Sequence, residues 1–107
     1  MNLYHYRIEL VRVIDSDTCV FHVDLGFKVW LHDIRFRFAR INAPELITDA
    51  GKLARAWLVE QLAASAGKLT CQSLGFDKYG RALGEVYADG RNINDAIVAA
   101  GHAKYVT

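Results

Sequence analysis

Apolar and polar positions alternate almost from the start of the chain. Tyr6, Ile8 and Leu10 alternate with Arg7 and Glu9, and Val11 to Ile14 continues the run, which predicts a first strand stopped at the turn-prone Asp15-Ser16-Asp17. Cys19, Phe21 and Val23 then alternate with Val20, His22 and Asp24 and predict a second strand that ends at Gly26. Val29, Trp30 and Leu31 lead through His32 and Asp33 into a long third strand from Ile34 to Ile41, with Ile34, Phe36 and Phe38 on one face. Pro44, the only proline, closes that strand. From about Asp49 the period lengthens to 3.6, with Leu53, Trp57, Leu58 and Leu62 on one stripe and Gly67 at the exit, which predicts a helix. Lys68 to Leu74 and Leu83 to Ala88 predict a fourth and a fifth strand joined by the loop Gly75 to Ala82. Asp89-Gly90 turns into a short helix, Ile93 to Ala100, with Asn92 or a nearby polar residue as cap and Gly101 just past its end.

Three strands, a helix, two strands and a final helix are the order of an OB-fold. The expected class is mainly β with helices (α+β): a five-stranded Greek-key barrel with a helix between strands three and four and a short C-terminal helix. Such barrels take ligands on the face of strands two and three and in the loops after strands one and four. Asp15-Ser16-Asp17 and Asp77-Lys78-Tyr79-Gly80-Arg81, far apart in sequence, should therefore meet at one mouth.

At 107 residues the chain has room for one domain, 1–107, and 52% hydrophobic with 23% charged residues excludes a disordered or low-complexity chain. Thirteen Lys and Arg against twelve Asp and Glu leave +1, so no overall field advertises a polyanion and any such site must come from local clustering. Cys19 and Cys71 lack CxxC spacing and read as buried free thiols. No apolar run is long enough for a membrane span or a signal peptide, so the expectation is a cytoplasmic protein with no membrane partner.

Four groups of residues could carry chemistry. Asp15 and Asp17 project to one side of an extended backbone and repel unless a cation lies near them; alone, the segment is commoner as a polar hairpin tip than as a metal site. Arg35, Arg37 and Ala39 face out if Ile34, Phe36 and Phe38 face in. Two guanidinium forks there suit phosphate, and a solvated strand face has the same pattern. Arg40 breaks the alternation and implies a bulge or twist where the strand leaves the barrel. Asn42-Ala43-Pro44-Glu45 offers amide, carbonyl and carboxylate oxygens of the kind calcium accepts, or merely leads into the helix. Asp77-Lys78-Tyr79-Gly80-Arg81 sets two cations and an aromatic ring in one loop, able to hold a phosphate and stack a base, or is simply a charged hairpin loop.

Taken together and in order, these segments resemble the staphylococcal nuclease (thermonuclease) family. Val13 to Thr18 is similar to its first loop, Arg37 to Glu45 to its central block, and Asp77 to Arg81 with Tyr87 to Gly90, Asn94, Val98 and Gly101 to the rest, over about residues 8–104. The resemblance implies calcium-dependent endonucleolytic hydrolysis of DNA and RNA, preferably single-stranded, leaving 3'-phosphate ends. It also implies roles. Asp17, Asn42 and the Ala43 carbonyl would bind calcium, with Asp15 near the ion through water. Glu45 would be the general base, and Arg37 and Arg81 would grip the phosphate. Lys78 and Tyr79 would contact a neighbouring phosphate. Arg35, and Tyr105 near the end, complete the expected nucleic-acid contacts.

The chain departs from the family pattern at several points. Asn42 stands where an Asp is usual, which keeps an oxygen donor but removes a charge from the site. Ser16 replaces a favoured Gly, and Ala43 a common Thr. The hairpin from Asp24 to Asp33 is longer than usual and a further C-terminal helix has no counterpart, so the expectation is that this hairpin, or a second copy of the chain in a homodimer, covers apolar barrel surface. The competing reading is a catalytically weak or inactive module of the same fold that binds single strands or a protein partner. Asn42 favours that reading, while Asp17, Arg37, Glu45 and Arg81 favour the enzyme.

Overall fold

The computed structural model describes residues 3–106. Its elements run β1 (His5–Asp15), β2 (Thr18–Gly26), β3 (Val29–Phe38), β4 (Ile41–Asn42), α1 (Asp49–Ala64), β5 (Leu69–Phe76), β6 (Ala82–Ala88), β7 (Arg91–Asn92), α2 (Ile93–Ala99) and β8 (Lys104–Tyr105). β1, β2 and β3 form an antiparallel meander; β1 also pairs with β5, β5 with β6, and β6 returns to β3 in parallel. Five strands thus close into the expected OB-type barrel, with α1 between the third and fourth of them.

Alternation fills the interior. Phe36 packs edge-to-face against Phe21 and Phe38, with ring centroids 5.6 and 6.2 Å apart, a favoured aromatic geometry. Ile8, Val13, Val86, Ile93 and Ile97 join them, and Leu58 and Leu62 of α1 plug the barrel from one side. Cys19 and Cys71 are buried free thiols, as their spacing suggested, and burial pushes the Cys71 thiol up to about 11. Among the described residues no helix is long and apolar enough to cross a membrane.

Three expectations need correction. The third strand starts at Val29 and ends at Phe38. Its alternation cannot run on to Ile41 because Arg40 takes a left-handed φ of +69°, which reverses the chain and sends Ile41 and Asn42 into a separate pairing with β8. Ala39, expected to face out, is instead 4% exposed, its amide donating to the Gly84 carbonyl at 2.8 Å. Finally, the buried stripe of α1 is Gly51, Ala54, Leu58 and Leu62, while Leu53 is exposed and Trp57 half-buried. The small residues set the phase: a Cβ on Gly51 would lie 1.9 Å from the Glu45 carbonyl oxygen, so only glycine lets the Pro44–Glu45 segment rest on the first helical turn.

Both helix caps form. Thr48 accepts the Gly51 amide at 2.9 Å and Asn92 accepts the Asp95 amide at 2.9 Å. In the long hairpin, Leu25 and Leu31 line a cavity of about 210 Å³ at one barrel end with Tyr6 and Phe76, while Phe27 at the tip is fully exposed.

Candidate active site

The β1–β2 turn is knit locally and docked globally. The Asp17 amide donates to Asp15 Oδ1 at 3.3 Å, the Asx turn its sequence allows, and Thr18 Oγ1 donates to Asp17 Oδ1 at 3.2 Å. The other carboxylate oxygen, Asp17 Oδ2, accepts the Ala43 amide at 3.1 Å and lies 3.4 Å from Arg37 Nη2. The Phe38 amide donates to the Asp17 carbonyl at 2.9 Å, so the turn is fixed to both ends of the segment that follows β3. Burial, and behind it the hydrogen bond to Asp15, raise the Asp17 carboxyl above its ordinary value, against the opposing Ala43 amide and Arg37 guanidinium.

Arg37 is the hub. Nη1 donates to the Phe38 carbonyl at 2.6 Å and Nη2 to the Ile41 carbonyl at 2.9 Å. The same Nη2 is 3.4 Å from Asn42 Oδ1, so Asp17 and Asn42 converge on one guanidinium nitrogen. Parallel pairing of β3 with β6 sets Arg37 opposite Leu83, which brings Arg81 alongside. Arg37, Arg81, Lys78 and Tyr79 line one open cavity of about 330 Å³.

Within the loop before β6, Asp77 Oδ1 accepts the amides of Tyr79 at 2.9 Å and Arg81 at 3.0 Å, and Asp77 Oδ2 accepts Arg81 Nε at 2.8 Å. Desolvation opposes ionisation of Asp77, but those two backbone amides and the guanidinium outweigh it and hold the carboxyl below its ordinary value. Lys78 Nζ and Arg81 Cζ lie 5.2 and 5.3 Å from the Tyr79 ring centroid. The loop thus presents two cations and an exposed ring to the cavity, with Asp77 fixing Arg81.

The remaining expected residues lie around this centre. Glu45 is exposed, and its carbonyl accepts the Thr48 amide and hydroxyl at 3.0 and 2.7 Å, which anchors its backbone at the start of α1. Arg35 is exposed two residues before Arg37 on the outer sheet face. Tyr105 lies opposite Ile41, but its hydroxyl donates to Asp95 at 2.8 Å and the Arg40 guanidinium lies 5.7 Å over its ring.

Sequence reading left Arg40 without a role and missed its partners. Arg40 Nε donates to Glu85 Oε2 at 3.1 Å, and Nη2 reaches both Glu85 Oε1 and Asp95 Oδ1. Glu85 is buried and also bonded by Asn92 and Asn94. This bidentate clamp holds the left-handed turn on which Asn42 and Ala43 depend. The only signal in the sequence was the broken alternation. The Tyr105 hydroxyl, and Arg40 beside it, hold the Asp95 carboxyl below its ordinary value of 3.8, so the folded state binds that proton less readily than the unfolded one. Asp95→Asn should therefore lower the unfolding midpoint at pH 7, and the deficit should shrink as pH falls through the lowered Asp95 value. Thermal unfolding at pH 7 and pH 3 checks this, and a deficit independent of pH would refute it.

Among the described residues no three His, Cys, Asp or Glu side chains cluster as a metal site. The donors present are nonetheless all hard oxygens: Asp15, Asp17, Asn42 Oδ1 and the Ala43 carbonyl. Between the two aspartates the Ser16 hydroxyl is buried without a hydrogen-bond partner. An orphaned buried hydroxyl costs about 1–3 kcal/mol, a deficit that a water or hydrated ion at this turn would relieve. The residues fit a hard divalent cation, with one negative charge fewer than an all-acid set.

The model of the family described as staphylococcal nuclease homologue matches residues 35–107, which include Arg37, Asn42, Glu45 and Arg81. Relatives named "Uncharacterized endonuclease", from Escherichia coli O157:H7 and from Escherichia coli, are each 39% identical over 102 residues, covering 92% of this chain and 59% of their own length. A "Micrococcal nuclease" of Shigella flexneri is 36% identical over 83 residues, covering 78% of this chain and 43% of its own. The chain thus spans 59% of the length of the two Escherichia coli relatives and 43% of that from Shigella flexneri. With its closed barrel and a family match over most of its residues, the chain belongs to the staphylococcal nuclease homologue family.

Proposed function

We propose that the chain is a calcium-dependent endonuclease that hydrolyses phosphodiester bonds of DNA and RNA, preferably single-stranded, and leaves 3'-phosphate ends. The observation that carries this reading is the convergence of two arginines, Arg37 and Arg81, on one open cavity beside the Asp17–Asn42 oxygens. A phosphodiester entering there meets two guanidinium forks, whose donors fit the phosphate oxygens and gain strength as negative charge builds on them.

Asp17, Asn42 and the Ala43 carbonyl would hold the cation, with Asp15 acting through water. When bound, it supplies positive charge beside the phosphate and favours ionisation of a nearby water. Glu45 takes the proton from the attacking water, whose oxygen forms the new bond to phosphorus. The bond from phosphorus to the 5' oxygen breaks, and that oxygen leaves with the electron pair and gains a proton from solvent. Lys78 and Tyr79 hold the adjoining nucleotide by charge and stacking. The buried, unpaired cysteines suit the reducing cytoplasm.

The test is cleavage of end-labelled single-stranded DNA and RNA, with calcium and with EGTA, by the native chain, Glu45→Gln and Asn42→Asp. The expected result is cutting that requires calcium and Glu45, with tighter calcium binding in Asn42→Asp because the added charge strengthens the site. Equal affinities by calorimetry would refute that role for Asn42. Asn42 also favours one second reading, a binding module. Cutting by Asn42→Asp alone would mark a dormant site, and silence from both would select the module.

A further inference from the structure

We propose that the outer face of β1, β2 and β3 is a track for the substrate strand, on which Arg35 and Arg12 hold phosphates beyond the one gripped by Arg37; the proposal rests on the nuclease reading. The pairing register places the three arginines together. Thr18 lies opposite Arg37, and Val20 lies opposite Arg35 on one side and Arg12 on the other. Directly paired residues share a face, so Arg12, Val20, Arg35 and Arg37 all belong to the outer surface, behind the core-facing Phe36. Arg35 stands about 7 Å from Arg37 along the strand and about 10 Å from Arg12 across two strand spacings. The first of these steps is comparable to the separation of neighbouring phosphates in an extended strand.

Arg12 and Arg35 are exposed, and among the described residues neither forms an ion pair, as is also true of Arg7 beside Asp24 further along the face, whereas Arg37, Arg40 and Arg81 all do. Val20 between them is 1% exposed yet is not part of the hydrophobic core cluster, which fits aliphatic stems lying over it from both sides. Stems packed this way leave the guanidiniums at the sheet surface with less freedom to lose on binding. Further along the same face the charge changes: Glu9 pairs with His22, and Asp24 with Arg7. The Arg12–Arg35–Arg37 end therefore attracts a polyanion more than the far end, where Glu9 and Asp24 offset Arg7. Among the described residues the patch of Arg12, Val20, Arg35 and Arg37 itself carries no aromatic side chain, so it can hold phosphates but stack no bases, and it is blind to sequence.

The test uses the full chain, a dye-labelled oligothymidylate and EGTA to prevent cutting, with affinity measured across a salt series. Glutamine keeps most of the stem over Val20 and removes the charge. Arg12→Gln and Arg35→Gln should each reduce the slope of log K against log salt by about 0.7, the contribution of one phosphate contact on a single strand. Arg7→Gln, facing Asp24, should leave it unchanged. With calcium, both track variants should raise KM for the long strand, and Arg12→Gln should cleave the small diester bis(p-nitrophenyl) phosphate as the native chain does. Native slope and affinity in both variants would overturn the track. A native chain that neither binds the strand nor cuts either substrate would overturn the nuclease reading, and the track with it.

Discussion

Arg37→Ala is expected to lower kcat on single-stranded DNA by about 10² to 10³, with a much smaller change in KM. The Arg37 guanidinium is held by the Phe38 and Ile41 carbonyls and by Asp17, so its direction is set before any substrate arrives. A donor that need not reorganise is worth most where charge is greatest, which is on the phosphate oxygens as water attacks. Loss of the side chain should therefore be felt in the transition state more than in the bound substrate. The same hydrogen bonds also staple the turn after β3, so Arg37→Lys and the unfolding midpoint belong in the experiment. Lysine keeps the charge but cannot span two carbonyls and a carboxylate, and it should recover only part of the rate. A variant of native stability in which KM alone rose would make Arg37 a ground-state binding group and remove it from the chemical step.

Much of this centre was legible in the sequence, because its parts are local. Period-two runs mark the first three barrel strands and turn-bounded apolar segments the last two, Asp15 and Asp17 flank an evident turn, and Asp77 to Arg81 form a compact loop whose internal bonds span two to four residues. What failed was long-range or depended on small residues. The phase of α1 could not be taken from Leu53, because a glycine that admits the Glu45 carbonyl decides which side of the helix faces inward. The end of β3 could not be taken from alternation, because Arg40 is held in a left-handed conformation by Glu85, 45 residues later, and by Asp95 on α2. The union of Asp17 with the Ala43 amide spans 26 residues and exists only once the barrel closes. Oxygen-rich segments can be seen in one dimension; their convergence on Arg37 Nη2 cannot.

Asn94→Ala should cost about 2–6 kcal/mol of stability if the two stranded backbone groups each cost about 1–3 kcal/mol. The residue is 0% exposed. Its Oδ1 accepts the Val86 amide at 3.0 Å, and its Nδ2 reaches the carbonyls of Ala39 at 2.9 Å and Gly84 at 3.1 Å. Gly84 keeps a second donor in the Ala39 amide, so the truncation strands chiefly the Val86 N–H and the Ala39 C=O. Against a total stability of about 5–15 kcal/mol for a domain of this size, that loss takes a large share. The unfolding midpoint should fall by on the order of 10 °C or more, measured by heat and by urea at equal protein concentration. Asn94→Asp separates the hydrogen bonds from mere volume: it keeps an acceptor for Val86 but turns a carboxylate toward two carbonyls and Glu85, and should be at least as destabilising as alanine. A cost below about 1 kcal/mol for Asn94→Ala would show that water or a backbone shift satisfies both groups. Because Ala39 sits between Phe38 and Arg40, the same truncation loosens the turn that carries Asn42 and Ala43, so on the proposed calcium-dependent reading the affinity for the ion should fall even at temperatures where the chain remains folded.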